Sequence, residues 1–199
     1  MAETNHNSKN NVSLGKPKKT GCLYYAPAGT DIPEDATTEL PAAFVCPGYL
    51  GEDGVSTATD TDTTDINDMG GIKVLSEISS FGETWQFIMI ETNEHSLKLR
   101  FGSDRVTADK DGKLTARHGM PTGESLVLVF EIALTGNRVK RIVVPDATIT
   151  EFGDTTYSAG DAIGYDVTLS ANPSDKIAGD TSIEYIANVN TTTQPAGGE

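Results

Sequence analysis

Residues 125–144 read SLVLVFEIALTGNRVKRIVV, and residues 162–171 read AIGYDVTLSA. In both stretches apolar side chains recur at every second position, the period at which a β-strand places residues on one face. Thr135-Gly136-Asn137 supplies the positive φ angles of a tight turn, so residues 125–134 and 138–144 are predicted to form an antiparallel hairpin. The residues predicted to face inward are Leu126, Leu128, Phe130, Ile132, Leu134, Ile163, Tyr165, Val167, Leu169 and Ala171.

Shorter runs of the same kind predict further strands. They cover residues 22–26, 44–49, 72–80, 84–91, 106–108, 114–116 and 183–187. Phe81-Gly82-Glu83 is predicted to join two of them as a hairpin, and the sequence DKDG (residues 109–112) is a strong turn signal for two others. Residues 27–41 are predicted to be a connector with one turn of helix after Pro33.

One segment has the signals of a helix. Asn93 is a good N-cap, Leu97 and Phe101 lie four residues apart, and Gly102 is suited to the C-cap. The predicted helix spans residues 94–101 and covers one opening of a β-sandwich. The predicted fold is therefore mainly β, with two packed antiparallel sheets, one flanking short α-helix, a long acidic loop and extended terminal arms.

The ends of the chain differ in composition from its middle. Residues 1–14 are rich in asparagine and predict a flexible N-terminal arm, and residues 188–199 predict a disordered C-terminal tail. At 199 residues the chain fits one domain, which we place at residues 15–187.

A family resemblance is carried by RIVVPDATITE (residues 141–151) and IGYDVTL (residues 163–169). The front half adds GKPK (15–18), LYYAPAGT (23–30), DAT (35–37), AAF (42–44), GYL (48–50) and EDGV (52–55). In this order and spacing, roughly residues 12–187 resemble the major tail tube proteins of long-tailed, siphovirus-type bacteriophages. The resemblance implies the tail tube β-sandwich or barrel and a structural virion protein.

The same resemblance implies how the protein works. Six copies close into a ring, and stacked rings form the tail tube, the conduit for genome ejection into the host. The implied partners are further copies of the chain, the tape measure protein, and the tail tip and terminator proteins. DNA passes through without specific binding. The implied location is the virion tail, after synthesis and assembly in the host bacterial cytoplasm.

Charge agrees with this function. Lysine and arginine number 15 against 29 acidic residues, giving a formal charge of −14, and the isoelectric point is near 4.5. A nucleic-acid clamp requires a basic surface that displaces counterions from phosphates, so the composition argues against one and against binding to anionic membranes. No run approaches 18 consecutive apolar residues, and residues 1–11 lack the apolar core of a secretory signal.

Residues 52–71 break the strand pattern. They contain six acids and no basic residue, and threonine and small residues fill most of the rest. A long loop in a compact domain is usually functional or disordered. One interpretation is a solvated, mobile excursion; the favoured one is a loop that orders against the next subunit or ring. Its acids are Glu52, Asp53, Asp60, Asp62, Asp65 and Asp68.

Two further sets of charged residues are candidates for assembly. Lys16, Lys18 and Lys19 belong to a basic N-terminal region that could dock on the acidic stretch of another subunit. Glu131 and Asp166 occupy strand positions opposite the apolar face, and are predicted to line the lumen of the tube. Like charge there repels phosphates, so DNA would not adhere.

No constellation of catalytic or metal-binding residues is recognisable. Counting from Asp60 or Asp109 fails the EF-hand pattern of glycine at position six and glutamate at twelve. His6, His95 and His118 lack companion ligands, and no phosphate-binding glycine motif occurs. We therefore expect no enzyme activity, cofactor or metal. Cys22 and Cys46 are expected to be reduced thiols, with a disulfide left open.

Two other classes remain open from the residues alone. A virion decoration, head–tail completion or adhesion module of β-sandwich build would share this composition and strand pattern, but would not form tubes. A small enzyme would require a catalytic constellation that the sequence does not offer. Fold by itself does not separate these classes.

Overall fold

The computed structural model describes residues 7–189, and its regular structure is mainly β, as predicted. The first strands are β1 (Gly15–Pro17), β2 (Leu23–Pro27), β3 (Leu50–Asn67) and β4 (Lys73–Met89). The helix α1 (Glu94–Phe101) precedes β5 (Val106–Ala108) and β6 (Leu114–Ala116). The last are β7 (Ser125–Leu134), β8 (Arg138–Phe152), β9 (Tyr165–Ala171) and β10 (Ile183–Asn188).

Eight strands form one antiparallel sheet, and β5 and β6 form a second, two-stranded sheet. The main order is β1-β7-β8-β9-β4-β3, with β2 also on β7 and β10 also on β8. The sequence predicted that the strand beginning at Arg138 would end at Val144, but β8 continues to Phe152. Pro145 lies where the β7–β8 register shifts, so its missing N–H breaks no regular ladder bond.

The core lies inside the curl of the large sheet. Trp85 and Phe87 of β4 contact Phe130 of β7, with ring centroids 5.0 and 6.0 Å apart. Two strands separate β4 from β7 in the sheet order, so this contact brings opposite parts of the sheet face to face. The predicted alternation of β9 is confirmed, because Tyr165, Val167, Leu169 and Ala171 are buried and the residues between them are not.

The helix has the bounds and caps that the sequence predicted. Asn93 Oδ1 accepts a hydrogen bond from the Ser96 N–H at 2.9 Å, and Ser96 Oγ accepts from the Asn93 N–H at 3.1 Å. Gly102 ends the helix at φ +100°, where its N–H donates to the Lys98 carbonyl. The Tyr25 hydroxyl donates to the carbonyl of His95 at 2.9 Å, which ties α1 to β2.

Three predicted elements were wrong. Residues 44–49 form no strand, only an isolated bridge between Tyr25 and Val45. The connector at residues 27–41 has bends rather than a helical turn. Residues 72–80 and 84–91 are not two strands of a hairpin, because β4 runs straight through Gly82, which lies opposite Asp60 of β3.

Cys22 and Cys46 are free thiols, and the surroundings of Cys22 predict slow alkylation. Burial, with smaller contributions from Cys46 and Glu131, raises the pKa of Cys22 to about 11. Only the thiolate reacts, so at pH 8 we expect Cys22 to be alkylated about 100-fold more slowly in the folded protein than in urea. Mass spectrometry of iodoacetamide-treated samples measures this, and equal rates in both states would contradict it.

Candidate assembly surface

The acidic stretch is a long β-hairpin rather than a loop, which corrects the prediction. β3 and β4 contain 18 and 17 residues, and β4 pairs with β9 only from Glu83 to Met89. Beyond Glu83, among residues 7–189, the two strands pair only with each other as far as the tip. At about 3.3 Å per residue, the hairpin extends roughly 30 Å past its last pair with β9.

The tip of the hairpin is built by Asp68. Its Oδ1 accepts hydrogen bonds from the N–H groups of Gly70 and Ile72, both at 2.8 Å, and Gly71 adopts φ +82°. An aspartate that accepts such bonds holds a turn in place of a longer loop. The Asp68 carboxylate therefore stabilises the turn at the tip of the hairpin.

The hairpin exposes apolar side chains that are not part of the buried core. Met69 is 108% exposed, Ile78 is 69% exposed and Phe81 is 58% exposed. Ile66, Ile72, Val74 and Leu75 are exposed as well. Phe81 and Ile78 lie on one face of the hairpin, and Ile66 and Leu75 lie on the other. Exposed apolar side chains concentrated on one projecting element mark an interaction site. The outer edge of β3 is also open along the part of the chain that the structure describes, and unpaired strand edges associate with other strands.

Strand register places four acids on the outer face of the sheet, away from the core. Asp60 and Asp62 of β3 share this face with Gln86 of β4 and Asp166 of β9, and Gln86 Nε2 donates to both carboxylate oxygens of Asp166 at 3.2 Å. Glu151 of β8 pairs with the next outward position of β9. We call Asp60, Asp62, Glu151 and Asp166 the acidic face; among residues 56–62, 80–88, 148–151 and 166–170 there is no lysine or arginine.

The other acids of the hairpin that the sequence predicted are exposed as well. Asp65 contacts Lys73 at 2.9 Å and accepts from Ser76 at 2.6 Å; the Ser76 hydrogen bond, then that of Lys73, lowers the pKa of Asp65. An exposed pair of this kind adds little to stability. Glu52 and Asp53 lie where the β3–β4 register is irregular, between Leu50 and Val55. All six predicted acids therefore belong to one hairpin.

The structure corrects the prediction that Glu131 lines the lumen of the tube. Its strand position points away from the main core, but its carboxylate is buried and contacts both Lys18 and Arg141. Arg141 Nε donates to Glu131 at 2.8 Å, and Arg141 Nη1 donates to the carbonyl of Asp35 at 2.8 Å. The connector and the chain around Lys18 cover this face, which alternation along a single strand does not reveal.

The three lysines of the N-terminal region have different surroundings. Lys16 lies opposite Ala133 in the β1–β7 pair and is exposed, and Lys19 is exposed in the turn that follows. Lys18 already forms an ion pair with Glu131 of its own chain. Most of the predicted C-terminal tail and residues 1–6 of the predicted arm lie outside the described residues; Asn188, assigned to the tail, ends β10.

Within residues 7–189, no three histidine, cysteine or acidic side chains come together in a group that could hold a metal ion. Over the same range, none of the helical segments has the length and apolar character needed to cross a membrane.

The sequence model of the phage tail tube protein family matches residues 10–196, nearly the whole chain. The chain belongs to the phage tail tube protein family. This tail tube protein is thus a non-enzymatic structural protein that forms the tube of a phage-like tail, and the tail is where it resides. The family resemblance predicted from the sequence is confirmed at this level.

No curated protein matches the tail tube protein in sequence. Among solved structures, it is similar to a chain of the sheath–tube complex of the PVC extracellular contractile injection system, at 10% identity and a TM-score of 0.41. The match covers 87% of this chain and 93% of that chain. A chain from the tail of an empty GTA particle, refined with C6 symmetry, matches at 10% identity and a TM-score of 0.39, covering 78% and 92%. A chain of the cap that terminates the anti-feeding prophage tube matches at 11% and 0.40, covering 94% and 100%.

Proposed function

We propose that six copies of this tail tube protein close into a ring and that rings stack into the tube of a siphovirus-type tail, through which the genome is ejected. The observation that carries the proposal is the β3–β4 hairpin, with its open edge and its exposed apolar side chains. Within residues 7–189 of a single subunit, the edge of β3 has no partner strand and these apolar side chains are exposed to solvent. Identical neighbours arranged by rotation would cover them, and translation along the axis would extend the ring into a tube.

The resemblance to siphovirus-type tube proteins supports six copies, the non-contractile tail, and the tape measure, tip and terminator proteins as partners. Synthesis and assembly in the host cytoplasm belong to the same proposal. A decoration, completion or adhesion module has no observation in its favour. Negative-stain microscopy of the concentrated protein tests the proposal: rings or tubes with a central hole and six-fold class averages are expected, whereas protein that stays monomeric at all salt concentrations would contradict it.

The acidic face is the proposed lining of the lumen, and its charge is testable. Replacing Asp60 and Asp62 by lysine is expected to make assembled tubes retain duplex DNA at low salt and release it as salt rises, because lysines displace counterions from phosphates. Wild-type tubes should retain none. The measurement is cosedimentation of labelled DNA with tubes at several salt concentrations.

A matched control carries the same change of charge elsewhere. Glu34 and Glu39 are exposed in the connector, away from the acidic face, and their replacement by lysine should leave less DNA bound inside tubes. Equal DNA retention by both variants, or no retention by either, would contradict the proposal that the acidic face lines the lumen.

The exposed lysines near the N-terminus are proposed to contact the acidic hairpin of a lateral neighbour. Lys16 lies opposite Ala133, at the same end of the sheet as the hairpin tip, so neighbours at one height could pair in this way. Replacing Lys16 and Lys19 by glutamate should raise the protein concentration needed for assembly about 10-fold at low salt, since each exposed pair contributes at most about 1 kcal/mol. Sedimentation at increasing salt measures this, and the difference should shrink as salt screens the charges. The variant with arginine at both positions should assemble normally; identical behaviour of the two variants would exclude the contact.

A further inference from the structure

The two cysteines of the chain lie where the chain returns from the connector to the sheet. Tyr25 of β2 and Val45 exchange two backbone hydrogen bonds, from the Tyr25 N–H at 3.0 Å and from the Val45 N–H at 2.9 Å. This antiparallel bridge fixes the positions of Cys46, which follows Val45, and of Cys22, which precedes β2. Both thiols are only partly buried, so a small solute can reach them.

The Cys46 side chain reaches the backbone next to Cys22. Continuing the register of the bridge by one residue places Cys46 opposite Tyr24, and side chains at opposite and alternate positions share one face of a sheet. A Cβ atom added to Gly21 would lie only 3.0 Å from Cys46 Sγ, so this sulfur extends past Tyr24 toward the start of β2. Glycine at position 21 leaves the space that the sulfur occupies.

The two thiols also interact electrostatically. Burial, then Cys46 and then Glu131, raises the pKa of Cys22 to about 11, so a thiolate at Cys22 is disfavoured next to a second one. A disulfide carries no charge and removes this repulsion. Surroundings that stabilise a thiolate favour the reduced form of a cysteine pair, and the surroundings of Cys22 act in the opposite direction.

Between the two cysteines lies the connector, residues 27–41, which forms the second layer on the sheet. Arg141 holds it by donating to the Asp35 carbonyl at 2.8 Å, and Phe44, which follows it, packs with Val127 and Val129 of β7. A bond between the cysteines would close this segment into a covalent loop of roughly 25 residues. Such a loop restricts the unfolded chain and so stabilises the folded one.

We propose that Cys22 and Cys46 form a disulfide when the subunit meets a thiol oxidant, and that this bond fastens the connector to the sheet. The Cys46 thiolate attacks one sulfur of a small disulfide such as oxidised glutathione, whose S–S bond breaks and releases one thiol. Cys22 then attacks Cys46 Sγ in the mixed disulfide and releases the second thiol. Two electrons and the two cysteine protons thereby pass to the oxidant, which becomes two thiols.

The bond is a property of the single subunit and does not depend on ring or tube formation. Only its timing rests on the proposed function. A cytoplasm keeps thiols reduced, so the subunit would fold and assemble with free cysteines, and the bond would form after the particle is released into an oxidising medium.

Mass spectrometry of the folded, full-length protein tests the bond. Wild-type protein is incubated with oxidised glutathione, the remaining thiols are blocked, and the chain is cut after Glu34 and Glu39, which lie between the cysteines. We expect the peptides that contain Cys22 and Cys46 to be joined to each other within one chain. The same treatment in urea is the matched reference for an unfolded chain.

Equilibration in mixtures of reduced and oxidised glutathione measures how far the fold favours the bond. It should be about 100-fold more favourable in the folded subunit than in urea, because native contacts already hold the thiols together. The oxidised subunit should accordingly melt about 8 °C higher than the reduced one. Cys46→Ser, which keeps Cys22, is the control and should gain no stability from the oxidant.

Glutathione adducts without the 22–46 link, or links only between chains, would overturn the proposal. A bond no more favourable in the folded subunit than in urea, or an oxidised subunit that melts no higher, would overturn its role in fastening the connector. These outcomes leave tube formation intact, and a failure of the wild-type protein to form rings would leave the bond intact.

Discussion

Replacing Phe81 and Ile78 by serine is expected to abolish assembly while the isolated subunit stays folded. Both side chains are more than half exposed in the single subunit and are not part of its buried core, so their loss costs the fold little. Covered by a neighbour, each would contribute about 1.5–3 kcal/mol. Removing two weakens every subunit contact by at least about 100-fold.

The measurement pairs sedimentation and negative stain with a thermal melt of the monomer. Tyr157→Ser is the matched control, because Tyr157 is 74% exposed but lies in the loop between β8 and β9, away from the hairpin. The control should assemble like the wild type. Tubes formed normally by the Phe81/Ile78 variant would show that the apolar surface of the hairpin is not an interface.

Elements with local signals were predictable from the sequence. The helix α1 follows from a capping asparagine, a helical spacing and a terminating glycine within ten residues. β7 and its turn follow from strict alternation and from Gly136 and Asn137, which adopt φ +79° and +56°. These features depend on neighbours in the chain, so a sequence contains all that is needed to place them.

The hairpin was missed because nothing in the same subunit covers its outer half. A strand is recognised by one apolar face, whereas residues 56–66 alternate threonine and small residues with aspartate, and pack on no core. Threonine is β-branched and favours strands, and that was the available signal. Phe81 and Ile78 were assigned to a short hairpin; their lack of a buried partner becomes meaningful only once the strand is known to project.

The position of Glu131 was mispredicted for a different reason. Alternation along β7 correctly put it on the face opposite to Phe130, but a second layer covers that face. The layer is the connector, held by a hydrogen bond from Arg141 to the Asp35 carbonyl more than 100 residues away in sequence. Contacts of such separation are not encoded in a local pattern. The acid that remains on the outer face, Asp166, was placed by alternation alone.

Arg141→Ala is expected to destabilise the subunit by about 3–5 kcal/mol, the cost of leaving a buried charge without its partner. Glu131 is 4% exposed and Arg141 is 2% exposed, so neither can turn to water without opening the fold. Lys18 remains beside Glu131, but its side chain is 38% exposed and shares its charge with solvent. Urea unfolding should show the loss, and the melting temperature should fall by about 10 °C.

The double variant Glu131→Gln/Arg141→Met separates charge from packing. Removing both charges leaves no fully buried ion without a partner, because Lys18, which loses Glu131, is 38% exposed and reaches solvent. Methionine keeps much of the arginine volume, so the double variant should be more stable than Arg141→Ala by about 2 kcal/mol or more. A double variant as unstable as Arg141→Ala would mean that Arg141 acts by packing and by holding the connector. In that case the Asp35 contact, rather than the buried ion pair, keeps the second layer on the sheet.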